Sequence, residues 1–148
     1  MDDWGEGVDD DAIMNIENLT HYLHTHACRG VTCSADGTLS EFHRRGVADL
    51  MTLLADTPAL LQGALVADKV IGKGAALLMV YGGVSEVWAD VISDSAAQVL
   101  QEAGIPCAFG QRVPYIINRQ GDGMCPIEAL MHDIDTPPEA YVAIRCFL

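Results

Sequence analysis

Apolar residues at positions 13, 16, 19 and 23 of "AIMNIENLTHYLHTHA" fall on one face of a helix. "GVTCSADGTLSEFHRRG" follows, with Asp36-Gly37 between two short alternating runs, which predicts a β-hairpin. "VADLMTLLADTPALLQGA" returns to helical spacing until Thr57-Pro58 interrupts it. From Asp68 to Tyr81 the chain is apolar on nearly every face, which predicts a helix buried in the domain centre and ended by Gly82-Gly83. "SEVWADVI" reads as a strand. Ser93 and Asp94 then cap a helix that runs to Glu102 and stops at Gly104.

"IPCAF" and "VPYIIN" supply further strand, so the strand-helix-strand order predicts a parallel crossover. Near the C-terminus, Pro126 suits the first position of a helix and Glu128 its third. In "TPPEAYVAIRCF", Thr136 is a cap, Pro137 opens the helix and Glu139 completes a capping box. A hairpin, a crossover and helices enough for both faces of a sheet make an α/β sandwich around a mixed β-sheet.

Composition narrows the function more than the fold. The 148 residues make one domain, which at this size buries roughly 70% of its unfolded surface. Six of the 21 acidic residues lie before position 12, so residues 1–12 read as an acidic flexible tail and 13–148 as the single domain. The formal net charge is −13, with two lysines in the whole chain. A surface that tracks nucleic-acid phosphates needs clustered Lys and Arg, so polymeric nucleic acid is not an expected partner. No apolar run approaches the ~20 residues of a membrane span, and the acidic start is unlike a secretory signal. A cytoplasmic protein with no membrane partner is expected. Five irregularly spaced cysteines read as reduced thiols.

The runs "ADKVIGKGAALLMVYGGVSEVWADVIS" and "VPYIINRQGDGMCPIE" resemble the DUF1893 family, over roughly residues 13 to 133. That resemblance implies a cytidine deaminase-like three-layer α/β/α sandwich and brings no established reaction with it. Deaminases hold zinc with a His from His-Ala-Glu and two Cys from Pro-Cys-x-x-Cys, each at a helix start. Laid on that order of elements, the two places read "GKGAA" and "SDSAA". Neither offers His or Cys, while a zinc site needs three or four such ligands. Neither a zinc ion nor another cofactor is expected.

Several residues remain as candidates for chemistry. Lys73 sits among Gly72, Gly74, Ala75 and Ala76, small enough to leave room for another molecule. Its ammonium falls where the resemblance places a zinc ligand, so it would replace part of the metal's charge; a snorkelling lysine is the plain alternative. Asp68 is its counter-ion or simply a first-turn carboxylate. Cys125 lies at a helix N-terminus, where the dipole lowers a thiol's pKa. Glycines 121 and 123 would admit a ligand beside it, and Glu128 falls on the same face one turn on. Cys125 is equally readable as a small buried residue.

Ser93, Asp94 and Ser95 open a helix at a strand's C-terminal end, where anions bind α/β sheets, or they merely cap it. Asn118 and Arg119 would orient a carboxylate or phosphate, or form a turn. His21, His24, His26, Cys28 and Cys33 match no zinc spacing.

The leading expectation is a small-molecule-binding domain without zinc chemistry. Its pocket would lie between the starts of the Asp68, Ser93 and Cys125 helices, for a small polar or anionic ligand; a nucleotide-like ligand is implied by the fold resemblance alone. One alternative is an enzyme with catalytic Cys125 and with Lys73 as electrostatic stabiliser. Another is a structural homodimer joined through apolar faces.

Overall fold

The structure is a computed structural model that describes residues 14–44 and 46–148. The acidic tail, residues 1–12, lies outside the described residues. Helix α1 (Ile16–Thr25) is capped by Asn15, whose side chain accepts from the Asn18 amide at 2.8 Å. The hairpin forms as expected, with β1 (Gly30–Cys33) paired antiparallel to β2 (Leu39–Phe42). Its turn is closed by Asp36, which accepts from the Thr38 amide, and Gly37 takes a positive φ of 91°. Helix α2 (Ala48–Asp56) stops at Thr57, and Pro58–Leu60 form one 3-10 turn.

The stretch from Asp68 to Tyr81 is not one helix. Leu65–Ile71 is a strand, β3, and the helix α3 spans Lys73–Gly82. Gly72 between them is extended, with φ −98° and ψ 179°. A strand buried at the sheet centre and a buried helix both read as unbroken apolar sequence, so periodicity does not separate them. Gly83 ends α3 in the left-handed conformation. Strand β4 (Glu86–Ser93), helix α4 (Asp94–Glu102) and strand β5 (Cys107–Val113) follow, and β4 and β5 are parallel, as the crossover required. Because β3 is also parallel to β4, there are two such units, not one. Of "VPYIIN", only Val113 is in a ladder, as the last residue of β5. Pro114 lacks an amide to donate, and the segment makes one isolated bridge, Ile117 to Met124.

The sheet order is β2-β1-β3-β4-β5. Helix α1 covers one face, where Leu19 and Leu23 pack with Val31, Cys33 and Ala67. On the other face α3 occupies the middle and packs against α2, α4, α5 (Pro126–Leu130) and α6 (Pro137–Phe147). The result is a three-layer α/β/α sandwich around a mixed sheet. At the start of α6 the capping box is replaced: Thr136 Oγ1 donates to Glu139 Oε1 at 2.8 Å and caps no amide.

One irregularity matters for the site. Pairing of β4 with β5 runs through Ala89↔Phe109, skips Asp90 and Gly110, and resumes at Val91↔Gln111. Lys69 on β3 is skipped at the same level. Phe109 and Arg112, three residues apart, both face α4, and Ala89 and Ile92 both enter the α3-side core. Regular alternation would separate each pair, so the pleat slips once in all three parallel strands, with an effect like that of a β-bulge. A Cβ on Gly110 would lie 2.9 Å from the Asp90 carbonyl oxygen, so the close approach requires glycine there. Beyond the slip, Val70, Val91 and Val113 turn toward the α1 side, past the end of α1.

Candidate functional site

On the α3 side, the ends of the parallel strands are sealed. Glu128 is buried, and its two oxygens accept from the Lys73 amide and the Ile116 amide, each at 2.8 Å. One carboxylate therefore caps α3 and pins the segment that follows β5. Its charge suits the positive end of the α3 dipole. A Cβ on Gly74 would lie 2.7 Å from Ile127 Cγ2, and one on Gly72 would lie 3.0 Å from Glu128 Oε1. The small residues at Gly72 and Gly74 thus make room for the close approach of α5.

The Lys73 ammonium donates to the Met131 carbonyl and to Asp135 Oδ1, both at 2.9 Å. It lies at the C-terminal end of α5, where unpaired carbonyls attract a cation. Cys125 is the residue before α5, at the opposite end of this five-residue helix from Met131. The Cys125 amide donates to the Ile116 carbonyl at 2.8 Å, and its thiol makes no hydrogen bond among the described residues. Glu128 is instead engaged by the Lys73 and Ile116 amides and makes no hydrogen bond to the thiol among the described residues. The counter-ion of Lys73 is Asp135, which its position in a polar loop did not distinguish, and not Asp68.

Asp68 belongs to β3 and lies across from Gly30. Ser93 caps α4, accepting from the Ala96 amide at 3.2 Å with Ser95 Oγ 3.3 Å away. Asp94 forms an exposed ion pair with Arg112 at 2.7 Å. Asn118 closes its own turn: its side-chain oxygen accepts from the Gly121 and Asp122 amides, and its amide group donates to Asp122. Arg119 is exposed and has no partner among the described residues. The histidines serve separate contacts: His24 meets Asp90 at 2.8 Å, and His26 stacks on Tyr22. No group of three metal-binding side chains occurs among the described residues. Burial pushes the Cys28 and Cys33 thiols up, as expected of structural cysteines.

The α1 side of the same strand ends is open. Val70, Val91 and Val113 form the floor of a cleft of about 390 Å³, and Pro114–Ile117 form its wall. The wall is held from behind by Glu128 through Ile116. Side chains here are aliphatic apart from the Tyr115 phenol, and Val70, Tyr115 and Ile117 are exposed by 41%, 42% and 59%. Sequence reading missed this site because each valine fits an ordinary strand; only "VP" at 113–114, a stop to the strand, marked its edge. A second hollow of similar size lies between α4 and β5, beside Cys107, whose thiol burial pushes up to about 11.

A five-stranded mixed sheet between helical layers, with its open cleft beyond the parallel strand ends, defines an α/β sandwich of the doubly covered kind. The profile of a domain of unknown function, DUF1893, matches residues 18–148, and the chain belongs to that family. The crystal structure of a DUF1893 family protein from Thermotoga maritima superposes with a TM-score of 0.81 at 23% identity, covering 90% of this chain and 89% of that one. At that identity the likeness speaks to the fold alone. None of the curated proteins matches the chain.

Proposed function

We propose that this chain is a small-molecule-binding domain whose ligand occupies the cleft over Val70, Val91 and Val113. The observation that carries this reading is the shared slip of the pleat. It turns three aliphatic side chains out of the core and onto a sheet surface that α1 leaves uncovered. Ligands of α/β sheets commonly bind beyond the carboxyl ends of parallel strands, and a hollow of this volume suits a small organic molecule. The lining moves the ligand chemistry away from the polar or anionic molecule expected from sequence. It favours an apolar body that stacks on the valines and reaches the Tyr115 phenol with one polar group. The fold resemblance adds a nucleotide-like ligand only by analogy, and the aliphatic lining gives it no support.

Titration with the fluorescent apolar anion 1-anilinonaphthalene-8-sulfonate tests the reading. The folded chain should give saturable enhancement at about one site, and Val91→Asp should abolish it without changing the circular dichroism spectrum. Absence of saturable binding, or binding indifferent to Val91→Asp, would sink the proposal.

The exposure of Val70, Tyr115, Ile117 and Met124 on this side favours a second reading, a homodimer that covers the patch. Sedimentation of the same variant separates the two: a dimer that Val91→Asp dissociates supports self-association. Thiol chemistry at Cys125 assisted by Lys73 is the weaker reading, because the ammonium is engaged by the Met131 carbonyl and Asp135.

A further inference from the structure

The slip that turns the valines toward the α1 side also re-aims a side chain on the opposite face. Phe109 and Arg112 would lie on opposite sides of a regular strand. Here both line the hollow of about 390 Å³ between β5 and α4. Ala97 and Gln101, one helical turn apart, face them from α4, and Ile105 and Pro106 complete the wall. Gly104 ends α4 at a φ of 74°, and a Cβ there would meet no atom within 4 Å. The turn therefore leaves the hollow unfilled.

The lining brings together an uncovered ring and an unfinished set of donors. Phe109 is exposed by 41%, although β5 pairs with β4 at this level. Arg112 does not stack on it: the cation over an aromatic ring among the described residues is Arg145, on Tyr141. Asp94 instead accepts from Arg112 Nε at 2.7 Å, and the two terminal nitrogens make no hydrogen bond among the described residues. Those nitrogens are the pair of parallel donors that matches a carboxylate. The Gln101 carboxamide also has no partner among the described residues, since Glu102 beside it accepts from Gln98. Cys107 on the floor adds no competing charge, because burial pushes its thiol up to about 11.

Folding alone gains little from this arrangement. A ring left in solvent on an edge strand buries little surface and invites association. An exposed ion pair such as Asp94 with Arg112 adds little stability, yet it holds the guanidinium beside the ring.

We propose that the hollow between α4 and β5 binds a small planar aromatic acid, with its ring on Phe109 and its carboxylate on the terminal nitrogens of Arg112. Ring contact and bidentate pairing are both directional, so a ligand needs the two groups at one spacing. Gln101 supplies a donor for a further polar substituent, and Asp94 is a positioning residue. The formal charge of −13 opposes any anion at long range, so the direct contacts have to supply the selectivity. The site is independent of the valine cleft, which lies on the other side of the sheet.

Amide NMR of the full chain, titrated with 2-naphthoate and with the uncharged 2-naphthamide, tests the proposal. 2-Naphthoate should shift the Gly104, Phe109 and Arg112 amides saturably, and 2-naphthamide should bind about tenfold more weakly. Arg112→Gln should bring the two ligands to equal affinity, and Phe109→Ala should weaken both about fivefold. Each variant replaces an exposed side chain, so the fold is retained. Bound 2-naphthoate should also slow alkylation of Cys107 and leave the other four cysteines as before, read peptide by peptide in mass spectrometry. Shifts that never saturate would overturn the site, as would equal binding of the two ligands to the wild type or wild-type affinity in Phe109→Ala. Binding of 2-naphthoate that Val91→Asp abolishes would belong to the cleft, overturning this inference while supporting the other.

Discussion

The two sides of the parallel strand ends are built from opposite materials and do opposite things. On the α3 side, polar groups meet and satisfy one another: Glu128 binds two amides, and Lys73 binds a carbonyl and Asp135. That side is closed. On the α1 side, aliphatic residues face outward with nothing over them among the described residues. Charged residues near a helix start were the expected chemistry, yet here they act as the lock that holds the segment after β5 in place. The residues that looked like ordinary core are the ones left accessible. A charged residue in an apolar run therefore signals a solved packing problem as readily as an active site, and hydrogen-bond partners tell the two apart.

The strongest way to break the comparison is to open the sealed side. Glu128→Ala should leave the Lys73 and Ile116 amides buried and unpaired and remove a helix cap. A loss of about 2–4 kcal/mol is expected in urea denaturation. It should also loosen the Ile116 wall and so weaken dye binding in the cleft. A loss under about 1 kcal/mol would mean that water satisfies both amides and that the lock is not structural.

The half-buried carboxyl at Asp68 gives the next effect. Burial raises its folded-state pKa to about 7, above the ordinary carboxylate value, so the folded state holds a proton that the unfolded state releases. The associated stability is fully present below about pH 4, falls as pH rises through 7, and is flat beyond. Three units correspond to at most about 4 kcal/mol, and water reaching the partly exposed side chain reduces this to roughly 2. Asp68→Asn should abolish this dependence. Melting curves of both proteins from pH 4 to 8 should therefore converge near pH 4 and separate progressively up to pH 7, with the variant more stable at high pH. Parallel curves would show that the carboxyl is solvated.

Much of this could be read from the sequence, for identifiable reasons. The hairpin announced itself through Asp36-Gly37, the α4 cap through Ser93, and α5 through Pro126, because each is local chemistry that needs no tertiary partner. Strand β3 was hidden because the slip at Lys69 breaks its alternation and Gly72 alone separates it from the apolar helix that follows. The pairing of Lys73 with Asp135 was hidden because it spans 62 positions and depends on how α5 packs. The family resemblance, read over residues 13 to 133, extends to the C-terminus, since α6 packs on α3 and belongs to the same core. The slip at Lys69, Asp90 and Gly110 had one sequence signal, a glycine inside a strand, and that signal alone does not say which side chains are re-aimed.

Gly74→Ala sharpens the comparison through its sign. Alanine in place of glycine inside a helix ordinarily stabilises by about 1 kcal/mol. Here the new methyl meets Ile127 on α5, and overpacking of this kind costs about 1–3 kcal/mol. A net loss of roughly 1 kcal/mol is expected, measured by denaturant midpoint. A net gain would show that α5 moves away freely and that the sealed side has slack.

The smallest effect is expected where sequence reading placed the largest. Had Lys73 and Cys125 faced one pocket, removing the ammonium would slow the thiol's reaction at neutral pH. The ammonium instead lies at the Met131 end of α5, with Asp135 neutralising it, while Cys125 precedes the helix at the other end. The five residues of α5 span about 7.5 Å, so it is the neutralising Asp135 carboxylate more than the intervening distance that weakens the ammonium's field at the thiol. Lys73→Met keeps the aliphatic stem but leaves the Met131 carbonyl without its donor, so stability should fall by about 1 kcal/mol. Alkylation of Cys125, followed at peptide resolution by mass spectrometry under conditions where both proteins are folded, should stay within about twofold of wild type. A tenfold slowing, with the other four cysteines unchanged, would restore the pairing of these two residues and with it the case for chemistry at the start of α5.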